Sequence, residues 1–200
     1  MKRIIIIGAS GHGKVVADIA ALNGYESIIF LDNDPAASSC DGYPVAGMDT
    51  QAGEFEGDVF VAVGNADNRK KLTERYSGRH FPVLVHPSAV VAKSATVGDG
   101  TVIMAGAVIN PGAKIGKGCI VNTCSSVDHD CVLGDFCHVS VGAHLSGTVT
   151  VGSGSWLGAG STIINNVSVC EKCIIGAGAV VIKNIDEPGT YAGVPARRIK

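Results

Sequence analysis

Aromatic residues are scarce in this chain, at 5% beside 46% hydrophobic residues overall. A compact α/β core normally carries more rings, so the small aliphatics and the 27 glycines point instead to a repetitive, tightly turned architecture. Charge excess is also missing. A formal charge of −2, with no Lys/Arg block, offers nothing to nucleic acid or an anionic membrane surface. No run approaches the roughly 18–20 apolar residues that span a bilayer. The opening MKRIIII stops at Gly8 without an h-region or cleavage site. The expectation is a cytoplasmic protein with no membrane insertion. Seven cysteines, an odd count, give little support to a disulfide or metal framework.

What is present is a period of six. Stepping from Val85 through Val91, Val97 and Ile103 to Ile175 and Val181 gives 17 consecutive positions, (181 − 85)/6 + 1, all Val, Ile or Leu. Two residues earlier runs a second column, Ala89 to Ala179, whose members are small. Positions two apart on a strand share a face, so each repeat sends one branched aliphatic and one small residue inward. Glycine follows the aliphatic at 98, 116, 134 and 152, a spacing of 18, and again at 158 and 176. Three sixes make a three-sided coil, with these glycines expected to allow tight corners. A meander would break phase at its hairpins. The prediction is a parallel β-helix. Cys119, Cys131, Cys137 and Cys173 fall in the small inward column, where a thiol acts as a small hydrophobe.

The first eighty residues read differently. Arg3–Ile7 is a buried parallel-type strand, followed by the turn Gly8-Ala9-Ser10-Gly11-His12-Gly13. A helical stripe (Val15, Val16, Ile19, Ala20, Leu22) runs to Asn23-Gly24. A strand over 27–31 ends in Asp32-Asn33-Asp34-Pro35. A third strand, over 58–63, leads into a polar helix over about 67–76. This is a Rossmann-like βαβαβ domain, expected over 1–82, with the β-helix and its cap over 83–200. Three strands are too few for a full dinucleotide domain, and Gly-x-x-Gly-x-Gly is not the dinucleotide fingerprint. A strand-to-helix turn with exposed N–H groups still suits a phosphate, and Asp32 is placed to take hydrogen bonds from a ribose or base. The site reads as one for a mononucleotide.

Within the repeat, Asp128-His129-Asp130 puts a histidine between two acids at a corner. A carboxylate beside an imidazole fixes its tautomer and raises its basicity, which suits a general base. The same triplet also makes an ordinary polar turn. With His138 and His144 nearby, spacing alone also allows a zinc site of the β-helical carbonic anhydrase kind.

The segments GASGHGK, FLDND, AVGNADNRKK, VNTCSSVDHDCVLGDFCHVSVGAHLSG and AGVPAR together resemble the NeuD-type (sialic-acid O-acetyltransferase-like) sugar acyltransferases. The resemblance is strongest to bacterial UDP-4-amino-sugar N-acetyltransferases of bacillosamine pathways, and it covers the whole chain. It implies a left-handed β-helix, a homotrimer, acetyl-CoA as co-substrate in the groove between helices, a UDP-amino sugar held by the N-terminal domain, and no metal. It makes His129 the base that deprotonates the sugar amine for direct attack on the thioester, with Asp130 supporting it. On the coenzyme side it places His138, Gly147, Ala159 and Ala177. On the nucleotide-sugar side it places Ser10, Gly11, His12, Asp32, Asn33, Gly64 and Asp67, of which Asn33 and Asp67 depart from the acid and the Glu usual there. Other readings are O-acetylation of sialic acid or a related sugar, and a non-catalytic sugar-nucleotide scaffold. The segment Thr190–Arg198 leaves the repeat and caps the last coil. Arg197 and Arg198 are alternatively phosphate contacts for coenzyme A.

Overall fold

The computed structural model describes residues 1–34 and 36–200, so Pro35 of the expected turn lies outside the described residues. The chain divides into two compact units, Met1–His86 and Pro87–Lys200.

In the first unit, strand β1 (Arg3–Ile7) leads through the glycine turn into helix α1 (Gly11–Leu22) and strand β2 (Ser27–Leu31). Two strands that the sequence reading missed follow, β3 (Ser39–Cys40) and β4 (Tyr43–Gly47). After a 3-10 turn over Asp49–Glu54 come β5 (Asp58–Val61) and α2 (Ala66–Arg75). The sheet order is β3-β4-β2-β1-β5, so the described residues of the domain form five strands rather than three. β1 is central, in parallel pairing with β2 and β5, which explains why Ile4 to Ile7 are all but fully buried. α1 covers the sheet with Val16, Ala17, Ile19 and Ala20, whereas Val15 and Leu22 face outward. The buried stripe is thus narrower than the periodicity implied. Glycine at 13 lets α1 meet the strand: a Cβ there would lie 2.2 Å from the Gly8 carbonyl oxygen. Past α1, the Asn23 side chain bonds both backbone groups of Val85, at 2.8 and 3.1 Å.

The second unit is the expected coil. Strands pair in parallel with partners 18 residues away, such as Val108 with Ser126 and Ile120 with His138. From Ile103 to Val181 every aliphatic-column residue is 4% exposed or less. From Thr101 to Ala179 the small column is equally enclosed, with Val167 its most exposed member at 5%. Each coil hands its N–H groups to the next, as in Val108 N to Ser125 O and Asn110 N to Val127 O.

The corners correct one expectation. Left-handed backbone recurs every six residues from Gly100 to Gly178, two positions beyond the 18-spaced glycines and three beyond the aliphatic. Six of those corner residues carry side chains: Cys124, Asp130, Phe136, Thr148, Asn166 and Lys172. The glycines at 98, 116, 134 and 152 do another job. A Cβ on them would come within 2.3–2.7 Å of backbone nitrogen in the next coil, so they permit coil stacking rather than turning.

Among the described residues no helix is long and apolar enough to cross a membrane. The two glycine classes separate on mutation. Gly142→Ala, with φ +60 and open space around its Cβ, should cost about 1–2 kcal/mol of unfolding free energy. Gly152→Ala drives a Cβ to 2.3 Å from Glu171 N and should cost about 3 kcal/mol or more. Equal losses in urea unfolding would refute the distinction.

Candidate active site

The coil places His129 at a corner, one residue before the left-handed Asp130 (φ +59). That backbone turns the Asp130 carboxylate back, so Oδ2 lies 2.9 Å from His129 Nδ1. A carboxylate only accepts, so Nδ1 holds the proton and Nε2 keeps the lone pair. The ring rests over Gly147 of the following coil, where a Cβ would lie 2.4 Å from Nε2. Glycine there is what gives the basic nitrogen its seat. Asp128 serves the other side: its Oδ1 accepts from His129 N at 2.7 Å and from Asn110 Nδ2 at 2.8 Å, and these bonds lower its pKa. The hydrogen bond to Asp130, then the charge of Asp128, raise the His129 pKa above the ordinary imidazole value. Both His129 and Asp130 are more than half exposed, so the pair is open to a substrate.

The three histidines make separate contacts. His144 Nδ1 lies 2.9 Å from Ser126 Oγ. His138 stacks on Trp156 with ring centroids 6.0 Å apart and planes within 6°. Its Nε2 is 3.2 Å from Asn122 Nδ2, and Trp156 donates its indole N–H to Ser140 Oγ at 2.7 Å. Among the described residues no group of three or more His, Cys, Asp or Glu is placed to hold a metal ion.

Trp156 also walls a groove of about 430 Å³, lined by Val141, Ala159, Ile174 and Ala177 among others. Ala159 and Ala177 are therefore brought together, with His138 stacked against their aromatic neighbour, while Gly147 belongs to the His129 corner. Val141, Trp156 and Ile174 are 42–51% exposed, an apolar wall open to solvent. At the C-terminus Arg198 pairs with Glu187 and donates to Pro188 O at 3.2 Å, and Arg197 donates to Ala196 O at 2.9 Å. These arginines bind the cap.

In the first unit, Ser10 is the N-cap of α1 and Gly11 opens the helix. Asp32 Oδ2 accepts from Ala9 N at 2.6 Å and Oδ1 from Asp34 N at 2.9 Å, tying the glycine turn to the end of β2. A cavity of about 370 Å³ lies beside it, lined by Gly8, Asp32, Asn33, Asn68, Lys71 and Arg75 among others. Asp32 and Asn33 reach this cavity. Ser10, Gly11 and His12 sit at the helix start outside its lining, as do Gly64 and the exposed Asp67 on the α2 side. Lys71 and Arg75, which the sequence reading missed, supply its cations. Their i, i+4 spacing on α2 was the available signal. Arg69, also missed, is buried and donates to Val63 O and Gly64 O, each at 2.8 Å, bracing the turn before α2.

His12 is largely enclosed. Burial, helped by the Arg69 charge, lowers its pKa to about 4, and its Nε2 is buried without a hydrogen-bond partner. It is neutral at pH 7.

Both units have counterparts among known proteins. Residues 3–76 match the PglD N-terminal domain, and residues 94–129 and 148–183 match the bacterial transferase hexapeptide (six repeats). A curated relative, the UDP-N-acetylbacillosamine N-acetyltransferase of Bacillus subtilis, is 41% identical over 115 residues. That match covers 52% of each chain, so it spans about half the length of the curated relative. The acetyltransferase domain of PglB from Neisseria gonorrhoeae in complex with acetyl coenzyme A superposes with a TM-score of 0.96 at 43% identity, over 99% of both chains. PerB from Caulobacter crescentus, in complex with CoA and GDP-perosamine, superposes with a TM-score of 0.93 at 36% identity, over 100% of this chain and 98% of that one.

The neutral His12 has a measurable signature. An unfolded histidine takes its proton near pH 6.5, the folded one only near pH 4, so folding stability falls as pH drops between them. The slope contributed is at most about 1.4 kcal/mol per pH unit. His12→Asn should flatten that limb of the pH–stability curve, and superimposable curves for the two proteins would disprove the assignment.

Proposed function

We propose, because the chain belongs to the family of hexapeptide acetyltransferases with a PglD-type N-terminal domain, that it transfers an acetyl group from acetyl-CoA to the amino group of a nucleotide-linked amino sugar. The observation that carries this reading is the His129–Asp130 pair, with Nδ1 held by the carboxylate and Nε2 seated against Gly147. In the proposed step the sugar nitrogen attacks the thioester carbonyl while its proton passes to Nε2. The tetrahedral intermediate then collapses, the C–S bond breaks, and the imidazolium returns the proton to the departing thiolate of coenzyme A. No acyl-enzyme is needed. The inward thiols are buried, and burial raises the pKa of Cys131, the opposite of an activated nucleophile.

The apolar groove with Trp156, Ala159 and Ala177 is assigned to the coenzyme, with His138 fixing the indole plate. The N-terminal cavity is assigned to the nucleotide. Asp32 and Asn33 face its base or ribose, Lys71 and Arg75 supply positive charge, and the N–H groups of Ser10 and Gly11, with His12, meet the diphosphate or sugar. The bacillosamine-type relative favours a UDP-linked 4-amine as acceptor, while the PerB complex widens the class to GDP-linked sugars. The exposed apolar wall supports coenzyme binding between copies of a left-handed coil in a homotrimer. The cytoplasm, where thiols stay reduced, is the proposed compartment.

Coenzyme A release with acetyl-CoA and a panel of UDP- and GDP-linked amino sugars tests the reading. His129→Ala should lower kcat by about 10²- to 10⁴-fold while both substrates still bind. Full turnover in that variant would exclude His129 as base, and release only with a hydroxyl acceptor would reassign the reaction to O-acetylation. No release with any acceptor, with binding intact, would leave a scaffold. The base must be unprotonated, so the acid limb of kcat/KM should have its midpoint above the ordinary histidine value. Asp130→Asn removes the main cause of the raised pKa and should move that limb to lower pH. Trp156→Ala should raise KM for acetyl-CoA about tenfold, the equivalent of roughly 1.4 kcal/mol, with little change for the sugar nucleotide.

A further inference from the structure

We propose that Cys170 and Cys173 are a redox modification site, forming a reversible intrachain disulfide by exchange with a low-molecular-weight disulfide such as oxidised glutathione. Their sulfurs are already 3.4 Å apart. Cys170-Glu171-Lys172-Cys173 is a Cys-x-x-Cys segment, which the sequence reading missed.

The repeat explains why the pair occurs here and not at earlier turns. Cys173 belongs to the small inward column. Three residues before Cys119 and Cys137 stand Gly116 and Gly134, because a Cβ there would strike the next coil. Position 170 continues that 18-residue series, after 98, 116, 134 and 152. The chain leaves the repeat after Val181, and at 170 a side chain fits. The backbone is held for the reaction as well. The Ser155 hydroxyl accepts from Cys173 N at 3.1 Å and donates to Cys170 O at 3.1 Å, clamping the two ends of the turn, and Cys170 N donates to Ile185 O at 2.8 Å. Cys119, Cys131 and Cys137 each reach a carbonyl one coil on at 3.1–3.2 Å. Cys173 instead meets the Glu187 carbonyl, 14 residues on, at 3.7 Å, farther than its 3.4 Å approach to Cys170.

The thiols differ in access. Cys170 is half-buried and Cys173 fully buried. Cys170 is therefore the attacking thiol: its thiolate takes one sulfur of oxidised glutathione and releases the first reduced glutathione. Cys173 then loses its proton and attacks the Cys170 sulfur, releasing the second. Two thiols are oxidised and one disulfide is reduced to two thiols. Burial raises the Cys173 pKa, so ring closure quickens as pH rises, and the 3.4 Å separation from Cys170 makes it an intramolecular step.

Trypsin cuts after Lys117, Lys172 and Lys183, so Cys170 and Cys173 fall in separate peptides, 118–172 and 173–183. The full chain is incubated with oxidised glutathione, alkylated in denaturant without reductant, and digested. The wild type should show these two peptides joined, and its titratable thiols should fall from seven by two. Reductant should restore both. Cys170→Ser should abolish the join while Cys124→Ser keeps it. Cys173→Ser, tolerated because Ser already fills the column at 155 and 161, should stop at a glutathione adduct on Cys170. Seven thiols after oxidation, a persisting adduct in the wild type, or a join that survives Cys170→Ser would each overturn the proposal.

Discussion

Phase is the constraint on which the coil depends. Each six-residue step must return one aliphatic and one small residue to the interior, because each strand is only two residues long and pairs with one 18 residues away. Slippage by one residue would turn every Val, Ile and Leu of that column outward. A solenoid of this kind gains stability by nearest-neighbour stacking, so the interior tolerates identity changes within a size class and no change of register. The alternation of Ala, Thr, Cys, Ser and Val in the small column, all enclosed, shows that tolerance directly.

A rigid interior frees the surface for chemistry. His129, Asp130 and Gly147 come from two successive coils, and the 18-residue turn sets their separation without any flexible loop. The groove wall is built the same way, with Trp156 and Ile174 one coil apart and in register. Preorganisation here follows from periodicity: the positions proposed to meet substrates are set by the same backbone pairing that closes the core. The first unit works by a different rule, placing Asp32, the glycine turn and α2 at the carboxyl ends of parallel strands.

Much of this was legible in the residues because repeats announce themselves over a hundred positions. The β-helix, its 18-residue turn and the Asp-His-Asp corner all followed from phase and its interruptions. What was not legible has physical causes. β3 and β4 are short, partly exposed and interrupted by Pro44, so no alternation marked them. The role of the stacking glycines depends on clearance to the next coil, which spacing does not report. Arg69 looked like an ordinary surface cation, and only the fold reveals that two carbonyls draw it inside. Cys170-x-x-Cys173 straddles two columns of the repeat, so neither column by itself marks the pair.

Asp130 occupies a slot that glycine fills at most other corners, with a backbone angle that side chains adopt at a cost of about 1–2 kcal/mol. The same left-handed geometry is what folds its carboxylate back against the imidazole. The proposed base and its carboxylate therefore sit at one of the six corners that carry a side chain on left-handed backbone. If the proposed role holds, backbone ease and turnover ask opposite things of this one corner, and stability lost there is the cost of the placed carboxylate.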